Sequence, residues 1–151
     1  MYIVLYQPEI APNTGNIART CAAVGCPLHL IEPLGFQLED RKLKRAGLDY
    51  WPEVQLTRHT TWAHFMKARP PGRLLALSVR GQTPFWDFAF APGDGLVFGC
   101  ESRGLPPEIL AGHPSLTIPM GSPVRSLNLA VSVGIVLYEA LRQNRDGLTL
   151  T

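Results

Sequence analysis

Residues 118–143 read "IPMGSPVRSLNLAVSVGIVLYEALRQ". A loop rich in proline, glycine and serine, with Arg125 in it, runs into a helix that is apolar on nearly every face. The helix is expected over residues 127–143. A helix of this kind must be covered on all sides. Leu129, Val133 and Val136 can face a sheet, while Val131, Ile135 and Tyr138 need another partner. In a chain of 151 residues a wholly enclosed helix is hard to arrange, so a second copy is the simplest cover.

Upstream, short β-branched runs alternate with helical patterns. "YIVLY", "LHLI", "RLLALSV", "GLVFG" and "SLTIP" read as strands, and "EVQLT" as a short one. "NTGNIARTCAAVG" reads as a helix with Ile17, Cys21 and Val24 on one stripe and Gly25 as its stop. Asn13 or Thr14 is expected to cap it. "EDRKLKRAG" reads as a short basic helix, "TTWAHFMKA" as a helix capped by Thr60 or Thr61, and "PPEILAG" as a short helix. This alternation predicts an α/β domain with a mainly parallel sheet flanked by helices. Neither a repeat nor a linker divides it, so residues 1–151 are expected to form a single domain.

Composition narrows the function classes. Apolar residues make up 46% and charged residues 17%, which excludes a disordered chain. The net charge of +2 permits a nucleic-acid partner without demanding one. The first residues lack the basic start and long apolar run of a signal peptide. The apolar run near the end is short for a membrane span and carries Asn128, Ser132, Tyr138 and Glu139. A soluble, cytoplasmic protein with no membrane association is expected. Cys21, Cys26 and Cys100 have no zinc spacing, so no metal is expected and buried thiols are the simpler reading. His29, His59, His64 and His113 are scattered and receive no catalytic role.

Ligands of parallel sheets bind beyond the carboxyl ends of the strands. Loops rich in glycine and small hydroxyls leave three strand ends, at Leu77–Ser78, at Gly99 and at Ile118. Together they predict a pocket. A dinucleotide fingerprint is missing, because the glycines of "GDGLVFG" precede a strand instead of following one. Backbone groups, Ser78, Glu101, Ser102, Ser126 and Asn128, with walls from Leu77, Ile118, Met120 and Leu127, suit a neutral or zwitterionic ligand with a flat part.

Three segments in order carry a family resemblance. "PNTGNIAR" (12–19), "FGCESRGLP" (98–106) and residues 118–143 resemble the three motifs of SPOUT-class RNA methyltransferases. "RKLKRAGLDYW" (41–51) is similar to a stretch of their minimal single-domain branch, which methylates the ribose 2′-oxygen of the tRNA wobble nucleotide. The resemblance covers essentially the whole chain. It implies a C-terminal trefoil knot, which general rules of chain topology would not propose. It implies S-adenosylmethionine held by Leu77, Ser78, Gly99, Glu101, Ile118, Met120, Ser126 and Leu127, with many contacts through backbone. Cys100 departs from the residue often found at its place.

The resemblance also implies a homodimer through the first and last helices, and catalytic roles for Arg19, Asn13 and Asn128. Asn13 and Gly15 would shape the first motif's turn, and Asn128 and Glu101 would support the loops. A guanidinium does not normally deprotonate in proteins, so Arg19 is expected to orient the RNA and stabilise charge. Arg41, Lys42, Lys44 and Arg45 form a basic cluster suited to the tRNA anticodon loop, with Arg19, and Tyr138 suits either base stacking or dimer packing. The expected function is methylation of a wobble cytidine or modified uridine. The alternatives are ribose methylation elsewhere on tRNA or on rRNA, and a catalytically silent RNA-binding module.

Overall fold

The computed structural model describes residues 1–38, 50–121 and 123–145. Among the described residues, seven strands form one sheet: β1 (Tyr2–Tyr6), β2 (Leu28–Ile31), β3 (Leu56–His59), β4 (Leu74–Leu77), β5 (Thr83–Pro84), β6 (Gly95–Phe98) and β7 (Ser115–Thr117). Their order is β3-β2-β1-β6-β4-β7-β5, and every pairing is parallel. Among the described residues, four α-helices cover it: α1 (Ala11–Ala23), α2 (Trp62–Ala68), α3 (Pro107–Ala111) and α4 (Leu129–Gln143).

The central strands are apolar without interruption because both of their faces are buried. Successive residues serve opposite faces. Ile3, Leu5, Leu75, Leu77, Leu96 and Phe98 point to the side covered by Ile17, Ala18 and Cys21 of α1 and Val133, Val136, Leu137 and Ala140 of α4. Tyr2, Val4, Leu74, Ala76 and Val97 point to the other side, where Phe65 of α2 and Ile109 of α3 pack.

Several local expectations change. The cap of α1 is Ile10, without a side-chain bond, and Asn13 and Thr14 lie inside the first turn behind Pro12. Proline is favoured at the start of a helix, where its missing N–H costs nothing, and this moves the start ahead of Asn13. The helix stops as expected: Gly25 has a φ of 63°, its N–H donates to Ala22, and the Cys26 N–H donates to Cys21 at 2.8 Å. Thr61 caps α2, accepting from the His64 N–H at 3.0 Å. The third strand covers Leu56–His59, later than "EVQLT" suggests, where its register matches Leu28–Ile31. Helix α4 starts at Leu129 rather than residue 127, because Asn128 caps it. The two-residue strand β5 has no periodicity to announce it. The basic helix expected around residues 39–47 lies outside the described residues.

Residues 78–82 connect β4 to β5, and these two strands flank β7. The connection therefore steps across β7. The Gln82 N–H donates to the Ser115 carbonyl at 3.0 Å, and the Ser78 N–H to Leu116 at 2.9 Å. Gly81 makes the crossing possible: a Cβ there would sit 2.2 Å from the Leu116 carbonyl carbon.

Candidate active site

Strands β6, β4 and β7 are neighbours, so the loops leaving their carboxyl ends converge on one cavity of about 580 Å³. Leu77, Ser78, Gly99, Glu101, Ile118, Met120, Ser126 and Leu127 all line it, with Asn13 and Asn128 at its wall. The pocket expected from three strand ends is thus present, and its volume lies in the range of small-molecule sites.

A hydrogen-bonded chain ties the loops together. The Glu101 carboxylate accepts from the Glu9 N–H at 2.8 Å, the Ile10 N–H at 3.3 Å and Asn13 Nδ2 at 3.0 Å. In return the Glu9 carboxylate accepts from the Ser102 N–H at 2.9 Å and its hydroxyl at 2.7 Å. Those two donors hold the Glu9 carboxyl below its usual range, with a smaller contribution from Arg103. Asn128 Nδ2 donates to Asn13 Oδ1 at 2.9 Å, and Asn128 Oδ1 caps α4 by accepting from the Ala130 and Val131 N–H groups. Glu101 was expected among the ligand contacts. Its carboxylate is committed to the Glu9–Asn13 segment, so any ligand contact through that group would compete with those three donors.

Arg19 is not brought to this cavity. It lies on α1 six residues beyond Asn13, about 9 Å further along the axis. Its guanidinium sits 4.8 Å from the centre of the Tyr50 ring. Tyr138 is also absent from the cavity lining, on the outer face of α4. That face carries Val131 at 50% exposure, Ile135 at 37% and Tyr138 at 54%, the three residues expected to need another cover. Arg41, Lys42, Lys44 and Arg45 lie outside the described residues.

Sequence reasoning missed Glu9, Arg80 and Arg103. Glu9 stands in the loop between β1 and α1 and bonds a segment 93 residues away, which no local pattern announces. Arg80 and Arg103 line the cavity yet look like ordinary solvated arginines in the sequence. Among the described residues no group of His, Cys, Asp and Glu could hold a metal ion, and no helix is long and apolar enough to cross a membrane.

Known proteins share this fold. The SpoU rRNA Methylase family profile matches residues 1–138. The tRNA (cytidine(34)-2′-O)-methyltransferase of Saccharophagus degradans is 51% identical over 144 residues, covering 93% of this chain and 94% of that protein. Its counterpart in Escherichia coli K12 is 49% identical over 144 residues, covering 93% and 92%. A solved structure described as "Structural insights into the 2-OH methylation of C/U34 on tRNA" is 59% identical, with a TM-score of 0.93 and 96% of both chains covered. The SpoU methyltransferase AviRb from Streptomyces viridochromogenes, solved with AdoMet, is 25% identical with a TM-score of 0.87, covering 97% of this chain and 58% of that one. A profile match over most of the chain, relatives about half identical and a shared parallel sheet agree that this protein belongs to the SpoU methylase family.

Proposed function

We propose that this protein is an S-adenosylmethionine-dependent tRNA 2′-O-methyltransferase acting on the wobble nucleotide, a cytidine or a modified uridine. One observation carries this reading: the loops of the three motifs surround a single cavity in a chain about half identical to wobble-position enzymes. The cavity fits the methyl donor. Leu77, Phe98, Ile118 and Leu127 offer apolar walls for a flat base, while Ser78, Ser126 and the loop backbone offer polar partners.

S-adenosylmethionine supplies an activated methyl group when bound, so the protein's task is mainly to position the ribose oxygen in line with it. Asn13, Glu101 and Asn128 hold the loops in one arrangement. Arg19 orients the RNA and offsets the negative charge that develops on the ribose oxygen. Its distance from the cavity of its own chain favours service to the cavity of a second copy. The apolar stripe Val131, Ile135 and Tyr138 supports a homodimer packed on α1 and α4. The crossing of β7 by residues 78–82 supports a knotted C-terminal region, since the chain leaving Thr117 must pass that crossing to reach α4. A tRNA substrate supports a cytoplasmic location, and Arg41, Lys42, Lys44 and Arg45 would meet the anticodon loop.

Two measurements test the reading. Calorimetry should detect binding of S-adenosylmethionine and none of NAD; absence of the former sinks it. Mapping of 2′-O-methyl groups in RNA from a deletion strain should show loss at the wobble position of particular tRNAs. Loss at another tRNA position, or in rRNA, would move the substrate assignment accordingly.

A further inference from the structure

Two cations line the cavity among the described residues, Arg80 on the segment that crosses β7 and Arg103 on the loop after β6. Both are exposed. The ion pairs among the described residues are Arg58–Glu32, Arg73–Asp94 and Arg142–Glu139, so neither cavity arginine is taken up in one. Glu101 is the carboxylate among the described lining residues, and N–H donors from Glu9, Ile10 and Asn13 occupy it, while the Glu9 carboxylate, which feels the charge of Arg103, is hydrogen-bonded by Ser102. The backbone beneath both arginines is pinned. The Arg80 N–H donates to Ser78 Oγ at 3.1 Å, and Gly81 is pressed against β7. Ser102, next to Arg103, is held by Glu9.

Two guanidinium groups at a cavity meant for a positively charged sulfonium need an anion to justify them. A ribose that presents its 2′-oxygen to the cavity brings a phosphodiester on either side of it. Trp86 adds a flat surface at the same edge of the sheet: it lies two residues beyond the end of β5 and is 56% exposed. Exposed aromatic rings beside arginines are the usual furniture of single-stranded RNA binding.

We propose that Arg80 and Arg103 form an anion clamp across the mouth of the cavity and grip the phosphodiesters flanking the target nucleotide. This rests on the RNA methylation reading above. Arg80 and Arg103 are positioning residues: they set where the strand lies, and so which ribose reaches the cavity. Arginine suits this better than lysine, because its fork binds two phosphate oxygens at once.

The test uses the full chain, Arg80→Ala, Arg103→Ala and the two lysine variants, with bulk bacterial tRNA and S-adenosylmethionine as probes. Each alanine variant should weaken tRNA binding about three- to thirtyfold and reduce the slope of log affinity against log salt by roughly 0.7–0.9. The lysine variants should recover the salt slope and only part of the methylation rate. Affinity for S-adenosylmethionine should stay within about twofold, a range that corresponds to less than roughly 0.5 kcal/mol. If S-adenosylmethionine affinity falls while the salt slope is unchanged, the arginines hold the cofactor's own carboxylate and the clamp is refuted. Unchanged tRNA and cofactor affinities refute it as well. Should the wild-type protein methylate no tRNA, the proposed reaction fails, and the salt slopes still decide the clamp separately.

Discussion

Asn128 donates a hydrogen bond to Asn13 across 115 residues of sequence, at 2.9 Å, while its other side-chain atom caps α4. One amide thereby starts the last helix and fastens it to the first. The bond continues through Asn13 to Glu101 and so reaches the loop that walls the cavity. Asn128→Ala should lose both functions, destabilising the protein by about 1–2 kcal/mol from the cap alone. Asn128→Asp keeps an oxygen for the cap but loses the donor facing Asn13. Urea unfolding should therefore show a smaller loss for the aspartate, while both variants lose methyl transfer. Full activity in the aspartate variant would mean that only the cap matters.

Gly81 should tolerate no side chain. The Cβ of Gly81→Ala would meet main-chain atoms of Leu116 and Thr117 that cannot rotate away. Overpacking of this kind costs ~1–3 kcal/mol or more. Because the clash lies in the wall beside Ser78, calorimetry should also show weaker S-adenosylmethionine binding. An alanine variant with unchanged unfolding midpoint and affinity would contradict the close crossing of β7 by residues 78–82.

Ile135 tests the proposed dimer. It stands in the middle of the exposed apolar stripe, flanked by Val131 and Tyr138 one turn to either side. A charge there would be buried by a second copy, a severe penalty without a partner. Ile135→Glu should give a monomer in sedimentation and lose activity at low protein concentration, while circular dichroism stays unchanged. A fully active monomer would break the link between assembly and catalysis.

Arg19 separates orientation from proton transfer. Arg19→Ala should lower methyl transfer at least tenfold, the scale expected when one charge-stabilising group is removed. Arg19→Lys should fall between, because a lysine carries the charge without the planar fork. Unchanged methylation and tRNA affinity in the alanine variant would remove Arg19 from the mechanism.

His29 gives the fold a pH dependence unrelated to the site. His29 Nδ1 and His59 Nε2 lie 3.0 Å apart under Phe65 and Tyr2, and neither outer ring nitrogen has a partner. Burial, helped by His59, holds His29 down at about 4 from an ordinary 6.5. Between those values the unfolded chain binds the extra proton, so stability rises with pH. It is complete above about 6.5 and drains away as the pH falls toward about 4. Melting temperatures should drop steadily between pH 7 and pH 5, and His29→Phe should flatten that slope. An equally steep slope in the variant would assign it elsewhere.

The amino-acid order alone was enough for most of the architecture. Uninterrupted apolar runs such as "YIVLY" and "GLVFG" announce strands buried on both faces, and Gly25 and Thr61 mark where helices stop and start. The division of α4 into buried Val133 and Val136 and exposed Val131, Ile135 and Tyr138 also follows from helical spacing. Those are local or periodic properties, and local physics determines them. The two-residue β5 escapes notice because so short a strand has no period, and Asn13 reads as a cap because proline's preference for the first turn competes with it.

Tertiary structure decided what the local pattern could not. Only strand order brings the ends of β6, β4 and β7 together around one cavity. Only the folded chain turns Glu9 and Glu101 into reciprocal fasteners, brings Arg80 and Arg103 into the lining of the cavity, and leaves Arg19 outside it. These relations join residues far apart in the chain, whose meeting costs loop entropy and is recovered only through the packed sheet. A short-range pattern holds no record of such a meeting, and the site exists only once the whole sheet is assembled.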